Sequence, residues 1–176
     1  RNEQYMKNIT TIRPYLNETE TSITNTLDII QRARELAIRG RNSTNAQLQR
    51  DQIATEVNQL IESVLSEANH QTSGRYIFGG TVTTTAPFQE TRNADGEIIS
   101  VIYQGNDNYI NAEISEGVQV ITNQTGREVF LTTGGIQSTD ILQTLISLRD
   151  DLRSANFTGI DQRIQETNHA INQLSL

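Results

Sequence analysis

The sequence predicts an α+β protein: an elongated antiparallel helical rod formed from the N- and C-terminal segments, with an inserted small antiparallel β-rich domain. Two observations carry this. Apolar and small residues recur at heptad spacing in both flanks, the pattern of helices packed along a seam. Glycines and aromatics gather in the middle: nine of the 11 glycines and six of the nine aromatic residues lie between Gln71 and Ile136. Glycine suits tight turns and aromatics suit half-buried strands. The expected organisation is a discontinuous rod, residues 1–70 and 137–176, and a β-rich unit, residues 71–136.

In the first flank Ile9, Leu16, Ile23, Ile30 and Ala37 fall seven apart, with Ile12, Thr19, Thr26 and Ala33 three after each of the first four. This a/d spacing draws one seam along a helix. Pro14 lacks a donor and clashes with the preceding turn, so the better helix is expected after Asn17, ending near Gly40. Thr44 and Gln47 match a helix start signal, and Ile53, Val57, Leu60, Val64 and Ala68 follow in steps of four and three. The short connection Gly40–Asn45 makes these two helices antiparallel neighbours.

The middle zone opens with Arg75–Gly80, a short strand closed by glycines. A turn at Asn93–Gly96 precedes Ile98–Tyr103, where alternation puts Ile99, Val101 and Tyr103 on one face. Val118 and Val120 alternate with polar neighbours, and Glu128–Leu131 reads as a further strand. Together these suggest one small antiparallel sheet. The last flank returns to helix. Ser138 or Thr139 can cap a helix carrying Ile141, Leu145, Leu148 and Leu152; Ser154–Gly159 breaks it; Ile160, Ile164, Thr167, Ile171 and Leu174 resume the pattern. The chain starts at Arg1 and stops at Leu176 without a stop signal, so both ends are expected to be interior points of longer helices.

Composition excludes several functions. The net charge is -7, the wrong sign for a nucleic-acid partner. With no cysteine there are no disulfides or thiolate metal sites. No apolar run reaches the roughly 18 residues of a membrane span. A mean hydropathy of -0.50 favours a seam or thin core over a thick one. His70 and His169, the two histidines, read as satisfied or solvated side chains. Asp150 and Asp151 are adjacent on a helix and point apart, a poor acid/base pair. The run Gly105–Asn108 lacks the acidic ligands of a calcium loop. Neither an enzyme nor a cofactor is expected. The arginines at the end of the first helix favour its dipole, and their planar guanidinium suits carboxylates across an interface.

Gln31-Arg32-Ala33-Arg34-Glu35-Leu36-Ala37 is similar to the Q-R-V-R-E-L-A stretch of bacterial flagellins. Asn42–Thr44 and Arg50–Ala68 resemble the second rod helix of that family. Where flagellins continue with a Thr-x-Phe-Asn-Gly-like segment, this chain has Ser73–Gly80 and then Ala86-Pro87-Phe88, which resembles the hook-associated branch of the flagellin superfamily. Tyr103–Asn106, Ile114-x-x-Gly117-Val118 and Val129-Phe130 are similar to the same branch. The resemblance implies a structural component of the bacterial flagellum at the junction of hook and filament, exported by the flagellar type III system and extracellular. It implies as partners neighbouring copies of itself, hook-associated protein 1, flagellin and an export chaperone. The candidate subunit interface is Arg32, Arg34, Glu35 and Leu36. With terminal assembly segments missing, the chain is expected to be monomeric in solution. A short flagellin or an adhesin-like binding module stays open as an alternative.

Overall fold

The structure, a computed structural model, describes residues 1–42, 47–131 and 139–175. The expected class is borne out: helices from both ends pack antiparallel, with antiparallel β hairpins between them in sequence. Helix α1, Asn2–Asn42, runs unbroken through Pro14. This corrects the expected start after Asn17. Pro14 and Thr10 lie on an exposed face, so the carbonyl that loses its donor is hydrated instead of buried. At 41 residues α1 is roughly 60 Å long.

Helix α2, Gln47–Ala68, lies antiparallel to α1, as the pairs Arg32–Glu56 and Asn25–Glu67 show. Helix α5, Phe157–Leu174, is antiparallel to α1 through Arg34–Asn168 and Arg41–Asp161. Helix α4, Ile141–Arg153, completes a four-helix arrangement, packing on α2 and α5. Its cap is Asp140, which accepts from Gln143 N at 2.9 Å, not Thr139; Ser138 and Thr44 lie outside the described residues. Small residues set the spacing. A Cβ on Gly40 would stand 2.3 Å from Leu152 Cδ2, so this glycine, inside α1, permits close helix approach and does not end the helix.

The seam of α1 is Thr19, Ser22, Thr26, Ile30, Ala33 and Ala37, all buried, while Leu16 is 45% exposed. The hydroxyls of Thr19 and Thr26 donate to the carbonyls of Tyr15 and Ser22, both at 2.7 Å, so their burial leaves no group unpaired.

Among the described residues three separate hairpins run between α2 and α4, where one sheet was expected: β1, Gln71–Thr72, with β2, Arg75–Tyr76; β3, Phe88–Arg92, with β4, Ile98–Tyr103; β5, Asn111–Ser115, with β6, Val118–Ile121. A bulge at Thr91/Arg92 pairs Arg92 with Ile98 and leaves Ile99 over. Ile98, not Ile99, therefore joins Val101 and Tyr103 toward the core; Ile98 is 0% exposed and Ile99 44%. The expected strand at Glu128–Leu131 is a short helix, α3, Gly126–Phe130. A reciprocal Thr125–Glu128 capping box starts it and outweighs the strand preference of Val129-Phe130-Leu131. Phe78, Phe88 and Phe130 meet edge-on at 5.1–5.3 Å and join the same core as the helices.

Candidate functional site

The helical period splits the arginine segment. Successive residues turn about 100°, so a run in sequence is not a face. Leu36 is 1% exposed and belongs to the core with Ala33 and Ala37. Arg34 is half-buried and donates Nε to Asn168 Oδ1 of α5 at 2.5 Å. Arg32 and Glu35 stand at the surface, their side chains 44% and 66% exposed. Arg32 donates Nε to Glu56 of α2 at 2.8 Å and Nη1 to Glu35 at 3.2 Å, and these bonds, Glu56 first, hold its guanidinium still further into the charged form. The residues that share this face are Asp28, Arg32, Glu35 and Arg39, at steps of four, three and four, all exposed. Arg39 borders a shallow polar depression with Gln49, Gln52 and Glu56. The signal for this face was present in the sequence as charge of alternating sign at helical spacing.

A second group of arginines was not found by sequence reasoning. Arg149 of α4 is 2% exposed and donates Nη1 to Asn58 Oδ1 of α2 at 2.9 Å and to Ile98 O of β4 at 2.8 Å; its Nε donates to Asp150 at 2.9 Å. Arg153 forms a fork on Glu97, at 2.8 and 2.6 Å. Arg92 forms another on Glu62 of α2, at 2.6 and 3.0 Å. The Arg153 guanidinium pulls the Glu97 carboxyl down to about 2. Asn69, just past α2, closes both backbone groups of Phe88, accepting from its N–H and donating to its carbonyl at 2.9 Å each. Three arginines and one asparagine thus bolt the β3–β4 hairpin to α2 and α4.

The N-terminal half of α1 carries β5–β6 instead. Asn8 donates to Glu113 O at 2.8 Å, and Arg1 pairs with Glu116 at 2.9 Å. Leu16, Tyr109 and Ile121, all exposed, border an open groove with Ile23 and Leu174. Among the described residues no group of His, Cys, Asp and Glu could hold a metal ion, and no helix is long and apolar enough to cross a membrane. His70 lies 3.0 Å from Glu18, joining the end of α2 to α1.

Comparison with known proteins gives these surfaces their context. Residues 1–83 match the model of the bacterial flagellin N-terminal helical region. The chain is 27% identical over 142 residues to flagellar hook-associated protein 3 of Escherichia coli, and spans 42% of that protein's length. It matches 74% of its own length to 40% of a solved chain of Xanthomonas campestris FlgL, at 27% identity and a TM-score of 0.67. A Vibrio parahaemolyticus structure solved as a candidate flagellar hook-associated protein has the same fold: TM-score 0.84, 22% identity, 99% of this chain and 75% of that one. The resemblance to the flagellin superfamily read from the sequence is therefore borne out, on its hook-associated side. These likenesses relate the chain to structural proteins of the flagellum.

Proposed function

We propose that this chain is the rod-bearing part of a structural, non-catalytic protein at the junction between the hook and the filament of a bacterial flagellum. The observation that carries the reading is the sequence match to flagellar hook-associated protein 3 over 79% of the chain. In this reading the chain works outside the cell after export by the flagellar type III system. Its partners are copies of itself, hook-associated protein 1 on one side, flagellin on the other, and an export chaperone beforehand. It is a mechanical part, with the rod of residues 1–70 and 137–176 carrying the β-rich unit of residues 71–136. Shallow contacts repeated around a ring give strength through symmetry and avidity.

The outer charged face of α1, with Arg32 and Glu35 at its centre, is the proposed subunit contact. Arg34 and Leu36 support it from within, by fixing α1 on α5 and in the core. The isolated chain is a monomer by this reading, and sedimentation at micromolar concentration checks that. The function is tested by deleting the full reading frame in its host. Hooks without filaments, and flagellin released into the medium, are expected; filaments of normal number and length would overturn the reading.

A further inference from the structure

A cavity of about 180 Å3 lies between the N-terminal half of α1, the β1–β2 hairpin and the base of β5–β6. Its walls are mainly hydrocarbon, from Ile12 and Tyr15 of α1, Tyr76, Ile77, Ile110 and Ala112. Four of the polar side chains among them are already engaged. Thr11 and Thr19 donate to the carbonyls of Lys7 and Tyr15, at 2.9 and 2.7 Å. Thr122 donates to Ile110 O at 3.0 Å, and Asn123 accepts from Ile110 N at 2.7 Å. Among the described residues Arg75 is the one charged residue in the lining. It is exposed, and its guanidinium enters no ion pair among the described residues. In a chain of net charge -7, this hydrocarbon recess is thus marked by a single free positive charge.

We propose that this cavity binds a small carboxylate with an apolar body, the body in the recess and the carboxylate on Arg75. Size supports the body: an apolar cavity of about 150 Å3 accepts benzene, so a phenyl ring fits. Chemistry supports the head group. One guanidinium offers two parallel N–H donors, which match a planar carboxylate. A phosphate dianion would call for further donors, and the hydroxyls of Thr11, Thr19 and Thr122 are spent on backbone carbonyls. Because the cavity joins α1 to the root of β5–β6, an occupant would tie that hairpin to the rod.

The probe is 3-phenylpropionate, titrated into the intact chain with isoleucine methyl resonances as the readout, alongside its uncharged counterpart 3-phenylpropan-1-ol. The acid is expected to give saturable shifts at Ile12, Ile77 and Ile110 with a Kd near ~1 mM, and the alcohol to bind about tenfold more weakly. Arg75→Gln should bring the acid down to the alcohol's affinity. Ala112→Leu, which fills the recess from β5, should remove binding of both; Thr11→Leu fills it from α1 and serves if the first variant does not fold. Absence of saturable shifts at these isoleucines, equal binding of acid and alcohol, or undiminished binding in a folded cavity-filled variant would overturn the proposal.

Discussion

Two hairpins project from one rod, and different physics fixes each. The β3–β4 hairpin sends Phe88 and Ile98 into the core, 1% and 0% exposed, and is held by the buried Arg149. The β5–β6 hairpin keeps Val118 and Ile121 47% and 55% exposed. Its ion pair to α1, Arg1–Glu116, has side chains 77% and 72% exposed. Exposed pairs contribute little, whereas buried rings and paired buried donors contribute strongly. One hairpin is therefore fixed to the helices through a shared core, and the other is attached through surface groups.

The difference can be broken from its strong side first. Phe88→Ala should cost about 3–5 kcal/mol, read as a fall in the urea midpoint, because it empties a site between Phe130 and Tyr103. Arg149→Ala should cost about 2–4 kcal/mol, because it strands the buried Ile98 O, takes a donor from half-buried Asn58 and leaves a void. Hydrogen exchange in that variant should quicken at β4 more than at β6.

The Glu97–Arg153 fork gives a smaller, pH-dependent effect. Its carboxyl sits at about 2 in the folded chain, below the ordinary carboxylate value. Its contribution is therefore complete above that ordinary value and is lost as pH falls from there toward 2. Urea midpoints measured from pH 6 to pH 2.5 should fall less steeply for Glu97→Gln than for the parent chain. Smallest of all, Arg1→Ala should change stability by less than about 0.5 kcal/mol, since its partner Glu116 is a surface group. A loss of 2 kcal/mol there would erase the contrast between the hairpins.

The helical half of the fold was legible because burial follows a period that sequence displays. Ile30, Ala33 and Ala37 lie on the seam that heptad counting draws, and the threonines on it are buried too. Counting fails where the seam loses its cover: Leu16 keeps the spacing and is still exposed, since the described chain places no helix over it. Pro14 misled because its effect depends on which face the orphan carbonyl occupies, and that is a property of the packed helix. Strand faces were misread at Ile99, since a bulge shifts register by one residue and inverts every assignment beyond it. Thr125 and Glu128 did carry the capping pattern of α3, but the apolar run beside them reads equally as a strand.

The site was legible in part for the same reason. The Arg32–Leu36 run singled out one stretch of α1, while only the period tells Arg32 and Glu35 at the surface from Leu36 in the core. The clamp of Arg92, Arg149 and Arg153 left no trace in spacing, because its partners Glu62, Asn58 and Glu97 come from distant segments joined by the fold.

The 176 residues contain no cysteine, so within them a single introduced thiol reports one position. Glu35→Cys places it at the centre of the proposed contact face, and a homobifunctional maleimide of short reach applied to assembled flagella from the full-length variant reads that contact directly. The proposed junction role predicts cross-linked products between neighbouring subunits, together with slow labelling by a monofunctional maleimide until the flagella are dissociated. Rapid labelling in intact flagella, with no cross-linked product, would contradict it.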